Sequence, residues 1–255
     1  MVALHRQVYQ VLESRPDSFR DWFQQAEELK CQGFLIEALH SFDRALQYHQ
    51  QDYYSWYYRG QILEEINFFS EAINSYKKAC KIKSNNYWAW YNQGCIWQEK
   101  IENYQESIVC FFNALKNKPE DYWSIYHLAK AYYAQKKYLL SLNYLQQALK
   151  IRPHDYWSYY WQGVCQQKLH QWQNARYSYQ KALEIKPSDY WTLKQLATLA
   201  EIQCLYQDAI AFYSQLEEMG EDTEDIYYKL AQYHQILGNK SQALHYQQLI
   251  TTKSC

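Results

Sequence analysis

Adjacent aromatic residues recur along this chain of 255 residues at nearly constant spacing. The pairs Tyr53-Tyr54, Tyr87-Trp88, Tyr122-Trp123, Tyr156-Trp157 and Tyr190-Trp191 follow one another at intervals of 34, 35, 34 and 34 residues. A period of this length marks a chain that copies one supersecondary unit in series. Each copy is too small to bury its own apolar face, so neighbours must stack. With Tyr156 as position 1, Tyr159 stands at position 4, Gly163 at 8, Ala175 at 20, Tyr179 at 24, Ala182 at 27 and Pro187 at 32. Positions 4, 7, 8 and 11 fall on one face of a helix, and positions 20, 24 and 27 on one face of a second. Small residues at 8 and 20 let two antiparallel helices approach, and large rings at 4 and 24 fill the space around that contact. Asp52, Asn86, Asp121, Asp155 and Asp189 directly precede the first helix of their units. A short side-chain acceptor there caps free backbone N–H groups.

The same frame gives Trp56, Gly60, Leu63, Ala72, Tyr76 and Ala79 from residue 53, and Trp22, Ala26, Leu29, Ala38, Phe42 and Ala45 from residue 19. This pattern of W-x-x-L-G-x-x-Y, then A-x-x-x-F, then A and P, resembles the tetratricopeptide repeat (TPR) family. The resemblance runs through seven copies and covers nearly the whole chain. It implies an all-α fold: an α-solenoid, a right-handed TPR superhelix of about seven helix-turn-helix repeats. The expected units are 19–52, 53–86, 87–121, 122–155, 156–189, 190–223 and 224–255. Residues 1–18 read as a lone second helix capping the first repeat, although a chain cut from a longer array would look the same. Pro is missing at Gln50, Ser84 and Glu221, and the last copy has Gln247 where an aromatic is expected. The third unit carries one extra residue between Gly94 and Lys100, taken up either by a longer turn or by a π-bulge.

In the family, the face of the first helix at positions 2, 5, 9 and 12 lines the concave groove where partners bind. On the matching positions this chain places Tyr54, Trp88, Trp123, Trp157 and Trp191 at 2, and Tyr57, Tyr91, Tyr126, Tyr160 and Lys194 at 5. Position 6 adds Tyr58, Asn92, His127 and Trp161, and Lys130 stands at position 9. Tyr156, at position 1, is expected to pack on the preceding turn and Tyr159 to enter the core. Position 2 is usually polar in the family, so successive indoles there need a cause. They either anchor a partner or stack on the next repeat and stiffen the array. Tyr and Trp suit anchoring, because they offer large area at small rotamer cost. The resemblance implies a non-catalytic scaffold or adaptor that binds a partner peptide or helix in an aromatic-lined groove. Proline-rich segments would also suit such rings. The carboxylate clamp of some TPR proteins fits poorly, because Lys30, Arg20, Lys130, Lys194 and Lys229 are the only inner cations.

Composition narrows the alternatives. Lys plus Arg number 26 and Asp plus Glu 27, a net charge of −1, which lacks the basic footprint of nucleic-acid binding. Base stacking of single-stranded nucleic acid on the rings is the rival reading, and a purely structural subunit of a larger assembly is another. No phosphate-loop, nucleophile-elbow or H-E-x-x-H motif occurs, so no enzymatic activity, catalytic residue, small-molecule substrate or cofactor is expected. Seven cysteines without a C-x-x-C pair read as reduced thiols, with no metal site, in a cytoplasmic protein. No apolar run is long enough to span a bilayer. Both a monomer and an end-to-end homodimer fit the sequence.

Overall fold

A computed structural model of the chain describes residues 17–220 and 224–253, with side chains through Thr251. The described residues form helices α1 Phe19–Cys31, α2 Leu35–Tyr48, α3 Tyr53–Glu65, α4 Phe69–Ile82, α5 Tyr87–Glu99, α6 Tyr104–Asn117, α7 Tyr122–Ala134, α8 Tyr138–Ile151, α9 Tyr156–Lys168, α10 Trp172–Ile185, α11 Tyr190–Ile202, α12 Tyr206–Glu218, α13 Glu224–Ile236 and α14 Lys240–Lys253, with no strand among them. The capping helix expected over 1–18 lies, apart from its last two residues, outside the described residues. The chain divides into two compact units between Ala131 and Tyr132, within α7. In the first unit α1 packs on α2, α3 on α4 and α5 on α6. In the second, α9 packs on α10, α11 on α12 and α13 on α14. Second helices also touch the next first helix: α2 touches α3, α4 α5, α8 α9, α10 α11 and α12 α13. The result is an all-α solenoid of antiparallel hairpins in series.

Local sequence sets the helix boundaries. Ser55, Ser158 and Thr192 donate their backbone N–H to the carboxylates of Asp52, Asp155 and Asp189 at 2.6, 2.6 and 2.9 Å. Each bond satisfies an orphan donor at the start of a first helix. Two residues before each second helix the backbone turns left-handed: φ is 83° at Gly33, 65° at Asn67, 57° at Glu102, 60° at Lys136, 58° at His170, 57° at Cys204 and 78° at Gly238. This conformation lets Phe68 N–H reach Leu63 O at 2.7 Å and Gln171 N–H reach Gln166 O at 2.9 Å, closing the helix end with a Schellman-type bond. The extra residue of the third repeat lies in this turn. Helix α5 has 13 residues like α3 and α9. Four residues, Lys100 to Asn103, then precede α6, where three precede α4, and Asn103 N–H closes the turn on Trp97 O at 2.8 Å. No π-bulge forms.

Close helix approach explains the small residues. A Cβ added to Gly163 would lie 2.6 Å from the Tyr179 ring, and one on Gly60 2.7 Å from Tyr76. Those rings, with Phe42 and Phe111, are fully buried. The expectation for position 4 needs correction, because Trp56, Trp90 and Tyr159 are partly exposed. Trp56 Nε1–H bonds Gln50 O at 2.9 Å and Trp90 Nε1–H bonds Ser84 O at 3.1 Å. These indoles therefore tie down the inter-repeat turns that lack Pro. In the seventh pair Gln247 is exposed and Tyr246 takes the core place one residue earlier. It stacks on Tyr227 and His234, each with ring centroids 5.9 Å apart.

Candidate partner-binding surface

Three of the Tyr-Trp pairs, at 87, 122 and 156, fold into a repeated three-ring cluster at the start of a first helix. Tyr156 meets Trp157 edge-on at 4.9 Å and stacks with Tyr160 at 6.1 Å, while Trp157 stands at 87° to Tyr160. Tyr87, Trp88 and Tyr91 repeat this geometry at 5.0, 5.4 and 6.5 Å, and Tyr122, Trp123 and Tyr126 at 5.0, 5.9 and 6.3 Å. The position-1 tyrosines Tyr87 and Tyr156 are anchors held by the following repeat. Tyr156 OH donates to the Asp189 carboxylate, Lys186 Nζ pairs with the same carboxylate at 2.7 Å, and Lys186 lies 5.3 Å from the Tyr156 ring centroid. In the first unit Tyr87 OH donates to Asp121 at 2.7 Å, and Lys118 pairs with Asp121 at 2.8 Å. Burial raises the pKa of both aspartates, but the lysine, tyrosine and backbone hydrogen bonds outweigh it and hold both carboxyls below their ordinary value. The sequence reading missed this clasp. Its signal is the K-P-x-D-Y-W run at 118–123 and again at 186–191.

With its neighbours fixed, the position-2 side chain is left outside. Trp88 is 56% exposed, Trp123 46%, Trp157 49% and Trp191 58%. Tyr54 is exposed as well. The position-5 rings of Tyr57, Tyr91 and Tyr160 are half-buried and back the indoles, whereas Tyr126 is buried. Lys194 replaces a ring there, and its Nζ donates to Tyr190 OH at 3.1 Å. Lys130 is half-buried, with its ammonium 5.9 Å from the Tyr126 ring.

Position 6 turns toward the preceding hairpin and mostly serves packing. Tyr58 lies against Phe23 and Phe42 at 6.1 and 5.8 Å, and Trp161 against Tyr133 at 5.0 Å. His127 is buried, a correction to its expected place at the groove. It stacks on Phe111 at 5.2 Å, and its Nδ1 lies 2.6 Å from Gln98 Oε1. Burial first, and then the nearby Lys130 charge, push its pKa down to about 4. Position-6 Asn92 lines a polar notch in the first unit together with Lys30, Gln61, Glu64 and Glu65. There Lys30 Nζ donates to Gln61 Oε1 at 2.8 Å and Gln61 Nε2 to Tyr57 OH at 3.0 Å. Tyr76 OH donates to Glu64 at 2.8 Å, and burial raises the Glu64 pKa. The same tyrosine-to-first-helix bond recurs from Tyr179 to Gln167 and from Tyr213 to Glu201, each at 2.8 Å.

Among the described residues no group of three or more His, Cys, Asp or Glu side chains could hold a metal ion. No described helix is long and apolar enough to cross a membrane. The described cysteines are free thiols, and burial pushes Cys80 and Cys110 up to about 12 and Cys165 up to about 11. Such thiols stay protonated and unreactive near neutral pH.

Models of the tetratricopeptide repeat match residues 53–86, 124–155 and 157–189. A model of the protein prenyltransferase alpha subunit repeat matches residues 35–66, the hairpin made by α2 and α3. The chain is a tetratricopeptide repeat protein. No curated protein matches it significantly. Solved structures share the fold at low identity. A tetratricopeptide repeat protein from Parabacteroides merdae ATCC 43184 is 14% identical with a TM-score of 0.67, over 93% of this chain and 93% of that one. MamA (41-end) from Desulfovibrio magneticus RS-1 is 19% identical with a TM-score of 0.61, over 69% of this chain and 99% of that one. YrrB, described as a TPR protein with an unusual peptide-binding site, is 19% identical with a TM-score of 0.60, over 81% of this chain and 97% of that one.

Proposed function

We propose that the chain is a non-catalytic scaffold that captures a protein partner, a peptide or helix, on the exposed position-2 rings. The observation that carries this reading is the exposure of Trp88, Trp123, Trp157 and Trp191 in a setting where their neighbours are locked. Indoles kept for packing alone would be covered, whereas these present roughly half their surface to solvent, Trp88, Trp123 and Trp157 each on two tyrosines and Trp191 on Tyr190. Exposed aromatic area, here Trp88 and Trp123 in the first unit and Trp157 and Trp191 in the second, is typical of interaction sites. In the first unit the notch at Lys30, Gln61 and Asn92 offers donors and acceptors for a peptide backbone, on the helices α3 and α5 that also carry Tyr54 and Trp88. The peptide-binding site in the description of YrrB supports the same class of partner. Single-stranded nucleic acid fits less well, because the cations beside the rings, Lys130 and Lys194, already lie within 6 Å of tyrosines. Free thiols, buried at Cys80, Cys110 and Cys165 and exposed at Cys31 and Cys204, suit a reducing, cytoplasmic setting.

The test replaces Trp88, Trp123, Trp157 and Trp191 with Ala, first in pairs and then together. Binding of the partner recovered with the wild-type chain should weaken by about 2 kcal/mol or more for each indole that is a hot spot. Helicity and melting temperature should stay near wild type, since the removed rings are half-exposed. Full affinity in the fourfold variant, or a fall in melting temperature without loss of binding, would assign the indoles to stiffening instead.

A further inference from the structure

The first unit has a second candidate surface, on the side of α3 opposite Tyr54. Trp56 lies about 200° and Arg59 about 140° around the helix from Tyr54, and both line an open cleft of about 540 Å³ with residues of α2 and α4. Its floor is apolar, made by Leu46, Ile82 and the Trp56 ring, and its rim carries Arg59, Lys78 and Lys81. Arg59 is fixed in place. Its Nε pairs with Asp43 Oδ1 at 2.7 Å, its Nη1 donates to Ser75 Oγ at 2.7 Å, and its guanidinium lies 5.7 Å from the Trp56 ring. Asp43 is thereby neutralised. Lys78 and Lys81 are exposed and have no ion-pair partner among the described residues. A neighbouring cavity extends the cleft past Lys77. Between Glu71 and Glu99 the sequence has four lysines and no acidic residue.

The complementary charge is present elsewhere in the same chain. Between Lys194 and Lys229 there are eight acidic residues and no Lys or Arg. Six of the eight fall in the run EEMGEDTED at 217–225, and of these Glu217 and Glu218 lie at the end of α12 and Glu224 and Asp225 at the start of α13. Glu218, Glu224 and Asp225 are exposed without an ion-pair partner among the described residues, and the apolar Met219 between them is also exposed. An apolar side chain flanked by carboxylates is the chemistry the cleft selects: one side chain for the floor, several charges for the lysine rim.

We propose that the cleft of α2, α3 and α4 binds the acidic Met219 segment of a second copy of this chain, with Met219 on the Trp56 floor and the flanking carboxylates at Lys78 and Lys81. The two faces differ, so the contact is head-to-tail: every bound copy leaves one cleft and one acidic segment free to continue the assembly. Exposed charges at the rim make the association weak and salt-sensitive.

Sedimentation velocity of the full chain over a concentration series, at low and high ionic strength, tests this. The weight-average sedimentation coefficient should climb with concentration at low salt and lose that climb at high salt. The K78E/K81E variant and the E218K/E224K/D225K variant should each weaken self-association by about tenfold or more. An equimolar mixture of the two variants should associate again, because each supplies a face complementary to one on the other. Circular dichroism melting shows whether each variant is folded, and the mixing result depends on both being so. A wild-type chain that is monodisperse throughout at low salt overturns the proposal. So does self-association that both variants retain, or variants that stay monomeric when mixed.

Discussion

At the scale of single residues, burial decides what a titratable group does. His127 is held neutral among Phe111, Tyr91 and Gln98, with its pKa lowered from 6.5 to about 4 by burial first and Lys130 second. The unfolded chain therefore binds a proton in the window between about 6.5 and about 4 that the folded chain refuses. The stability His127 contributes is whole above the unfolded pKa and is lost as pH falls through that window, at up to about 1.4 kcal/mol per pH unit. Urea denaturation at a series of pH values should show this slope, and His127→Gln should flatten it there. Asp121 and Asp189, held below their ordinary pKa, lose their contribution only in more acid solution, as pH falls through their folded values. The sequence placed His127 by counting positions, which gives an angle around the helix and says nothing about what covers that angle. The preceding hairpin covers position 6, so the count was right and the exposure inferred from it was not. Position 2 is different: no part of the repeat reaches over it, and the exposure of Trp157 follows from the angle alone.

At the scale of elements, the hairpin turns hold a left-handed residue that the repeat pattern does not specify. Gly33 and Gly238 take it freely, and Asn67 tolerates it. Glu102, Lys136, His170 and Cys204 take it at a cost, because the Schellman-type closure and the packing of the two helices over-determine the turn. Replacing the exposed Lys136 with Gly should raise stability by about 1 kcal/mol, and Lys136→Val should lower it, both measured by chemical denaturation. Helix limits were legible from the aspartate caps and the 34-residue period. The turn conformation was not, since three of seven positions carry Gly or Asn and the rest carry residues with no preference for it. The surplus residue near Gly94 was legible as a count, and only the closure of Asn103 N–H on Trp97 O shows that the turn absorbs it.

At the scale of the whole molecule, a chain of stacked hairpins is held together by contacts between neighbours, so damage stays near its origin. Gly163→Ala sets a methyl 2.6 Å from the buried Tyr179 ring. In an ordinary helix this change stabilises; here overpacking should cost about 1–3 kcal/mol. Hydrogen exchange followed by mass spectrometry should show faster exchange in α9 and α10 with α1 to α4 unchanged, and uniform loss of protection along the chain would contradict the nearest-neighbour picture. The order of helices and the small-residue contacts were readable from the period. The division within α7 was not, because the repeat runs through residue 131 without a break in pattern.

The aspartate that begins α11 has a consequence for the exposed rings. One carboxylate caps its own helix, receives Lys186, and grips the hydroxyl of Tyr156 in the hairpin before it. That same tyrosine forms the bed of Trp157. Within the second unit the clasp thus works as a ruler: it fixes how far Trp157 stands from Trp191, and a ligand that spans both must match that interval.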